Sequence, residues 1–351
     1  WRAAAGTSVF VPPDCGYPGC DDGKTLSCLF CILAVVCALR GAGLFPLLAQ
    51  RLVRAFHTAR SAVTALVVVT LIGSMLLTND TALLTFLPLS WFVLEGTGQT
   101  KHTALTFILQ NCAANLGGML TPFGNPQNLY LFNHYTIPNG EFLTIMLPPF
   151  LLSTALILAC CLLIPRATLT VPAQETPVDK RRCIVYGVLF CTAAAMVLRG
   201  IPYWLGPAAI TAAPLVLDRR ALLGVDWGLL VTFAAFFTFS GNMARIEPVR
   251  TLFRQLLAHG AMPVAALTSQ VISNVPAAIL LSQFTDDYPA LLVGVNIGGA
   301  GTLVASLASL ITFREYTKHV KGQTGRFLAL FSAVRLGSLA VLLAALTFWC
   351  Q

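Results

Sequence analysis

The sequence predicts an all-α membrane protein built from two copies of one repeat, and three observations carry that expectation. Charge is scarce: of 351 residues, 56% are hydrophobic and 10% charged, with a mean hydropathy of +0.77, too little charge to cover the surface of a soluble domain of this size. Apolar runs long enough to cross about 30 Å of hydrocarbon recur along the chain, 142–164 and 327–349 among them, roughly eight to ten in all. Three dissimilar motifs also occur twice in the same order, which is the mark of an internal duplication.

The first motif is an acidic residue that opens an apolar segment running into a basic amphipathic stretch. It is Asp22-Gly-Lys-Thr-Leu in the first half and Asp226-Trp-Gly-Leu-Leu, leading into 245–259, in the second. The second motif ends an apolar run with LLTNDTALLTF at 76–86 and with VISNVPAAILL at 271–281, pairing Thr78-Asn79 with Ser273-Asn274. The third aligns NLGGMLTPFGNPQNLYLF at 115–132 with NIGGAGTLVASLASLITF at 296–313, matching Asn115, Gly117, Gly118 and Thr121 to Asn296, Gly298, Gly299 and Thr302. The copies draw closer together from one motif to the next, as loop deletions in one half would produce. The expected organisation is a first repeat over 1–164, a linker over 165–182 rich in prolines and charge, and a second repeat over 183–351. More residues precede Asp226 in its half than precede Asp22 in the other, so the first repeat is expected to have a truncated N-terminal helix.

A formal net charge of +8 would suggest nucleic acid on a soluble chain. Here the basic residues fall in short clusters between apolar runs, Arg51, Arg54 and Arg60 in one and Lys180, Arg181 and Arg182 in another, which is the distribution of membrane loops. The 51–60 loop is expected on the cytoplasmic side of a multi-pass chain in the cell inner (plasma) membrane, with the lipid bilayer and no nucleic acid as partner. Most of the 11 cysteines, such as Cys112, Cys160, Cys161 and Cys191, lie inside apolar stretches and act as small hydrophobes. Cys28 and Cys31 have C-x-x-C spacing but no second pair at zinc-site spacing, so no metal is expected. Residues 1–11 look like the tail of a helix ending at Pro12 and Pro13, and no signal peptide is recognisable.

Each half holds a polar tripeptide inside a long apolar run, then a second polar stretch rich in Gly, Pro, Asn and Ser. Backbone freed from helical bonding within hydrocarbon is tolerated only where it is buried in protein or lines a cavity, so these breaks imply an internal site. Thr78-Asn79-Asp80 and Ser273-Asn274-Val275-Pro276 are N-cap chemistry, followed in the second copy by a proline suited to a first helical turn. Asn125-Pro126 reads the same way, with Ser306 at the equivalent place. Each half would present two helix N-termini at mid-membrane depth, and their free N–H groups and positive dipole ends favour an anion. The substrate-binding candidates are Thr78, Asn79, Asp80, Thr121, Pro122, Asn125, Ser273, Asn274, Thr302 and Ser306.

Gly117, Gly118, Gly298 and Gly299 let the backbone unwind and leave carbonyls to coordinate a cation such as Na⁺, with Asn79 and Asn274 completing the candidate cation-binding set. Asp80 is an intramembrane carboxylate and the proton-coupling candidate; its counterpart is Val275, so the site is expected to be asymmetric. The competing reading of one such motif is packing and kinking, a role small polar residues fill in ordinary membrane helices. Two motifs, each present twice in the same order, favour a site. Arg335 is expected to pair with Asp80 or Glu95, or to snorkel to an interface. The histidines His57, His102, His134 and His259 receive no catalytic role, no nucleophile stands beside a base, and neither enzymatic activity nor a cofactor is expected beyond Na⁺ as a candidate co-transported ion.

At LLTNDTALLTFLP, GGMLTPFGNPQNL, the Ser273-Asn274 tip and NIGGAGTLVASLASLI, the chain resembles the ion transporter superfamily. That superfamily includes divalent-anion and dicarboxylate/sodium symporters, citrate transporters, arsenite efflux permeases and one class of sodium/proton antiporters. The resemblance implies an inverted-repeat transporter fold with two re-entrant hairpins and two broken transmembrane helices, commonly a homodimer. It also implies secondary active transport of a small anionic solute, a di- or tricarboxylate or an inorganic oxyanion, coupled to Na⁺ or H⁺. By the same resemblance Thr78, Asn79, Ser273 and Asn274 match hairpin-tip residues that bind substrate and ion. Dicarboxylate symporters carry a Ser-Asn-Thr triplet at both tips, whereas Asp80 and Val275 stand third here; the Asn-Asp pair is similar to arsenite permeases. An arsenite-type efflux permease, a Na⁺/H⁺ antiporter and, in another class, a non-transporting membrane receptor are the alternatives.

Overall fold

A computed structural model describes residues 23–42, 56, 58–168, 179–202, 204, 206–208, 210–212 and 223–349. The expectations attached to 1–13, Asp22, Arg51, Arg54, His57 and much of the 165–182 linker lie outside the described residues. Within them the chain is helical, and the isolated bridge outside the helices pairs Thr58 with Thr168. The first half contains α1 (Gly23–Gly41), α2 (Ala59–Leu76), α3 (Asn79–Gly96), α4 (Thr103–Gly117), α5 (Pro126–His134) and α6 (Asn139–Cys161), and α7 (Lys180–Val197) leads from the linker into the second half. The second contains α8 (Trp227–Arg245), α9 (Glu247–Leu257), α10 (Ala261–Ile272), α11 (Asn274–Leu281), α12 (Tyr288–Gly298), α13 (Leu307–His319) and α14 (Thr324–Trp349).

Five of the described helices, α1, α2, α6, α8 and α14, are long and apolar enough to cross a bilayer. Apolar runs outnumber these five helices because several runs are cut where the polar motifs fall. The run through 59–96 is divided between α2 and α3, and the run through 261–281 between α10 and α11. Likewise α4 gives way to a 3-10 turn at Gly118–Leu120 before α5, and α12 stops at Gly298 before α13.

Local chemistry accounts for many of the other ends. Thr58 and Ser61 form a capping box at the start of α2, satisfying two amides that have no partner within the helix. Asp226 caps α8 by accepting from the Leu229 N–H at 2.9 Å, and Asp287 caps α12 by accepting from the Ala290 N–H at 3.2 Å. Pro126 sits in the first turn of α5, where its missing N–H costs nothing. Pro88 lies inside α3, and Pro148 and Pro149 inside α6; membrane helices tolerate this because neighbours re-satisfy the freed backbone groups.

Helix α6 shows how the molecule meets its surroundings. Phe142, Met146 and Phe150 are buried, whereas Leu143, Leu147 and Leu151, one position further on, are about half exposed. Residues four apart share a helix face, so one apolar stripe packs inward and a second apolar stripe faces out. An outward leucine stripe is costly in water and at home in lipid, as expected of a multi-pass membrane protein. Helix α9 contrasts with it, combining Glu247, Arg250 and Arg254 with exposed Leu252 and Leu256, the make-up of a helix lying at an interface.

The packing order positions the site. Helices α2 and α3 both pack on α4, and α10 and α11 both pack on α12. The two halves then trade partners: α13 packs on α3 and α4, while α5 packs on α11 and α12. Each break is therefore roofed by a helix from the other half.

Candidate functional site

The two helix interruptions at 77–78 and 273 are anchored in the same way. At the first tip the Asn79 N–H donates to Gly124 O at 3.1 Å, and at the second the Asn274 N–H donates to Ala305 O at 2.9 Å. Each asparagine then accepts through Oδ1 from the next amide, Asp80 N–H and Val275 N–H, both at 2.9 Å. Behind the tips, Thr121 Oγ1 donates to Met75 O at 2.8 Å and Thr302 Oγ1 to Gln270 O at 3.1 Å. Main-chain and threonine bonds thus tie each tip to the break in the helix that follows it.

Glycine is required where these pieces touch. A Cβ on Gly117 would stand 2.6 Å from Ser74 Oγ, and one on Gly298 would stand 2.9 Å from Ala266 Cα. The tips differ in backbone conformation. Thr78 is extended at φ −68° and ψ 151°, whereas Ser273 holds φ 75° and ψ 155°, a region essentially reserved for glycine.

A chain of buried amides links the halves. Asn296 Nδ2 donates to Asn128 Oδ1 at 2.6 Å, and Asn296 Oδ1 accepts from Asn125 Nδ2 and Gln127 Nε2, both at 3.1 Å. Asn125 Nδ2 also reaches Asn115 O at 2.9 Å, and Asn79 Nδ2 donates to Asn115 Oδ1 at 3.2 Å. Asn111 Nδ2 crosses to Ala308 O at 2.9 Å and Thr312 Oγ1 at 2.8 Å. In a low-dielectric interior such a network fixes orientation, because any member left unpaired is expensive.

Four helix starts border one cavity of about 440 Å³. Its walls include Asn79 and Asp80 of α3, Pro126 and Gln127 of α5, Ser273 to Pro276 at the second tip, and Ser306 and Leu307 of α13. None of these four helices carries a side-chain cap, so four positive dipole ends border the space. Helix α8 closes it with Asp226, Leu229, Thr232 and Phe233. An adjoining cavity of about 300 Å³ shares Asp80, Pro126 and Asp226 and extends to Thr78 and Arg40.

The predicted residues therefore divide by position. Asn79, Asp80, Ser273, Asn274 and Ser306 line the larger cavity and Thr78 the smaller. Thr121, Asn125, Thr302 and the four glycines stand behind them, holding the breaks in place, and Pro122 is buried in the connection between α4 and α5. Sequence reasoning missed Arg40 and the α8 wall. Asp226 was visible as a residue opening an apolar segment, but its place at the cavity depends on how α8 packs. Asp80 Oδ1, Asn125 Oδ1 and Gln127 Oε1 are buried and make no hydrogen bond among the described residues, so these acceptors at the first tip and first broken helix are open to a donor or a cation.

Arg335 departs from both expectations. It is 0% exposed, and among the described residues it has no carboxylate partner. Instead Nε donates to Ala300 O at 3.1 Å and Gly301 O at 3.0 Å, and a terminal nitrogen donates to Gly299 O. Its guanidinium lies 4.8 Å over the Phe331 ring. The signal was its isolation as the one charged residue in the run at 327–349.

Comparison with known proteins places the chain among transporters. A family model described as a citrate transporter matches residues 20–290. An uncharacterised transporter of Methanocaldococcus jannaschii is 31% identical over 333 residues, covering 93% of this chain and 90% of the relative. The inner membrane protein YbiR of Escherichia coli is 31% identical over 320 residues, covering 88% and 84%. A silicon efflux transporter of Oryza sativa is 35% identical over 131 residues, covering 37% of this chain and 26% of the relative.

Proposed function

The chain belongs to the citrate transporter family, and from that premise we propose that it is a secondary active transporter of a small anion, a di- or tricarboxylate or an inorganic oxyanion, coupled to Na⁺ or H⁺. The observation that carries the reading is the convergence of four uncapped helix starts on one cavity. The positive ends of helix dipoles attract negative charge, and they do so most strongly where water is scarce. The cavity volume falls within the range of about 300–1,000 Å³ common to small-molecule sites.

On this reading 1–164 and 183–351 are inverted repeats in an inner (plasma) membrane. The α2–α3 and α10–α11 pairs are re-entrant hairpins, α4–α5 and α12–α13 are broken transmembrane helices, and two copies of the chain form a dimer. Thr78 to Asp80 and Ser273 to Asn274 hold the solute from opposite sides. Asp80 and Asp226 border the same cavity and repel an anion unless their charge is neutralised, which is the physical reason for a proton or Na⁺ to accompany it.

Those two carboxylates also favour a second reading, an arsenite-type efflux permease or a Na⁺/H⁺ antiporter centred on Asp80. The partial likeness to a silicon efflux transporter agrees with an efflux role. Uptake of labelled citrate, succinate, sulfate or phosphate into proteoliposomes, beside arsenite extrusion from cells, separates the readings. Asn79→Ala or Asn274→Ala should lower transport by about tenfold or more, the equivalent of losing roughly 1.4 kcal/mol of site interaction; unchanged transport in both would reject the site. Proton or Na⁺ flux that persists without an anion and vanishes in Asp80→Asn would favour the antiporter, and binding without flux would mark a receptor.

A further inference from the structure

We propose that the Arg335 guanidinium acts as a tethered cation at the second broken helix, so that no transported cation binds there and any co-ion binds on the first-half side of the cavity. The inference rests on the transport reading above and specifies its ion site.

The carbonyls of Gly299, Ala300 and Gly301 all accept from this one side chain. They come together because α12 stops at Gly298, and carbonyls at a helix end have no amide further along the chain to accept from. They also form the negative end of the α12 dipole. Inside a membrane such a cluster is a cation site by its chemistry, and unwound carbonyls beside half-helix ends are where transporters hold Na⁺. Arg335 fills the role with a charge the protein carries itself. Fully buried and without a carboxylate partner among the described residues, it is held through Nε and one terminal nitrogen by peptide carbonyls, while its other terminal nitrogen has no hydrogen-bond partner among the described residues.

The first half is built differently at the matching place. There the carbonyls of Gly118, Met119 and Thr121 accept from Asn128 Nδ2 at 3.3, 3.2 and 3.2 Å, a neutral amide. Aligning Gly140-Glu-Phe-Leu near the start of α6 with Gly325-Arg-Phe-Leu near the start of α14 puts Phe150 opposite Arg335. No fixed positive charge takes that position. The unpartnered acceptors Asp80 Oδ1, Asn125 Oδ1 and Gln127 Oε1 belong to the same half. One half supplies its own cation, while the other presents oxygens and a carboxylate to a mobile one.

The test compares thermal unfolding of the purified full chain with Arg335→Met and Arg335→Lys, in choline chloride and in NaCl at equal ionic strength. Arg335→Met should melt below the unmodified chain in choline and regain part of the difference in NaCl with a saturable dependence, because a ligand bound only by the folded state raises its melting temperature. Arg335→Lys, which keeps a tethered charge, should show the same NaCl response as the unmodified chain. A Met variant that gains no more from Na⁺ than the unmodified chain, or a Lys variant that gains as the Met variant does, overturns the proposal. Should the Met variant not fold, thallium(I) soaked into crystals of the unmodified chain decides: no anomalous peak is expected at the 299–301 carbonyls, and a peak there overturns the proposal. Melting temperature reads cation binding whether or not solute moves, so a chain that transports no anion defeats the transport reading and leaves this comparison legible.

Discussion

Replacing Gly117 by alanine sets two effects of opposite sign against each other. Gly117 is the last residue of α4, and alanine in place of glycine gains about 1 kcal/mol of helix propensity in a helix interior, less at an end. The new Cβ would lie 2.6 Å from Ser74 Oγ, 2.7 Å from Leu71 O and 3.0 Å from Leu71 Cα. The Ser74 hydroxyl can rotate away, at the loss of its bond to Leu71 O at 2.8 Å, worth about 1 kcal/mol. Leu71 cannot yield in that way, because the obstructing atoms are main chain, so α2 must shift off α4. Overpacking of this kind costs typically about 1–3 kcal/mol, and the sum is a net loss of about 1–3 kcal/mol once propensity is credited. Gly298→Ala meets its nearest atoms at 2.9 Å and should lose less, about 1 kcal/mol. Unfolding in detergent micelles with a denaturant series measures both. A Gly117→Ala chain as stable as the unmodified one, or one that loses less than Gly298→Ala, would show that steric contact between α2 and α4 does not govern this site.

Two further substitutions probe the tips and the amide network. Ser273→Gly should stabilise the chain by about 1 kcal/mol, since a non-glycine residue at this φ and ψ costs about 1–3 kcal/mol and glycine's extra chain entropy returns only about 0.5–1 kcal/mol; a lowered unfolding midpoint would contradict the backbone described for that tip. Asn296→Ala removes the acceptor shared by Asn125 and Gln127 and the donor to Asn128, so at about 1–3 kcal/mol per orphaned group the loss should reach several kcal/mol. A shift below about 1 kcal/mol in the same assay would mean the three amides are not coupled through Asn296.

The places where helices stop were legible because they depend on neighbours in sequence. Thr78-Asn79 and Ser273-Asn274 interrupt apolar runs with residues of N-cap type, and Asn125-Pro126 adds a first-turn proline, so the chain marks each end, although the expected capping is not made: Thr78, Asn125 and Ser273 form no side-chain cap bond. The bracing partners of those ends were not legible. Nothing near Thr121 in the sequence indicates that its hydroxyl meets Met75 O, and Asn296 gives no local sign that it serves Asn125, Gln127 and Asn128. Arg335 was visible as an isolated charge, but whether a carboxylate, an interface or a set of carbonyls would receive it depends on which loop α14 crosses.

Because α13 lies on α3 and α4 while α5 lies on α11 and α12, the two halves hold each other as clasped hands do. Tyr130 Oη and Ser282 Oγ, 2.8 Å apart, and Tyr135 Oη, which donates to Thr285 O at 2.6 Å, fasten the clasp on one side. Neither half can be peeled away without stripping cover from the other's interruption, so the interior should travel as one rigid block and melt as one cooperative unit. Hinge points are then to be sought outside the interlocked helices, where α6 and α14 turn leucine faces toward lipid.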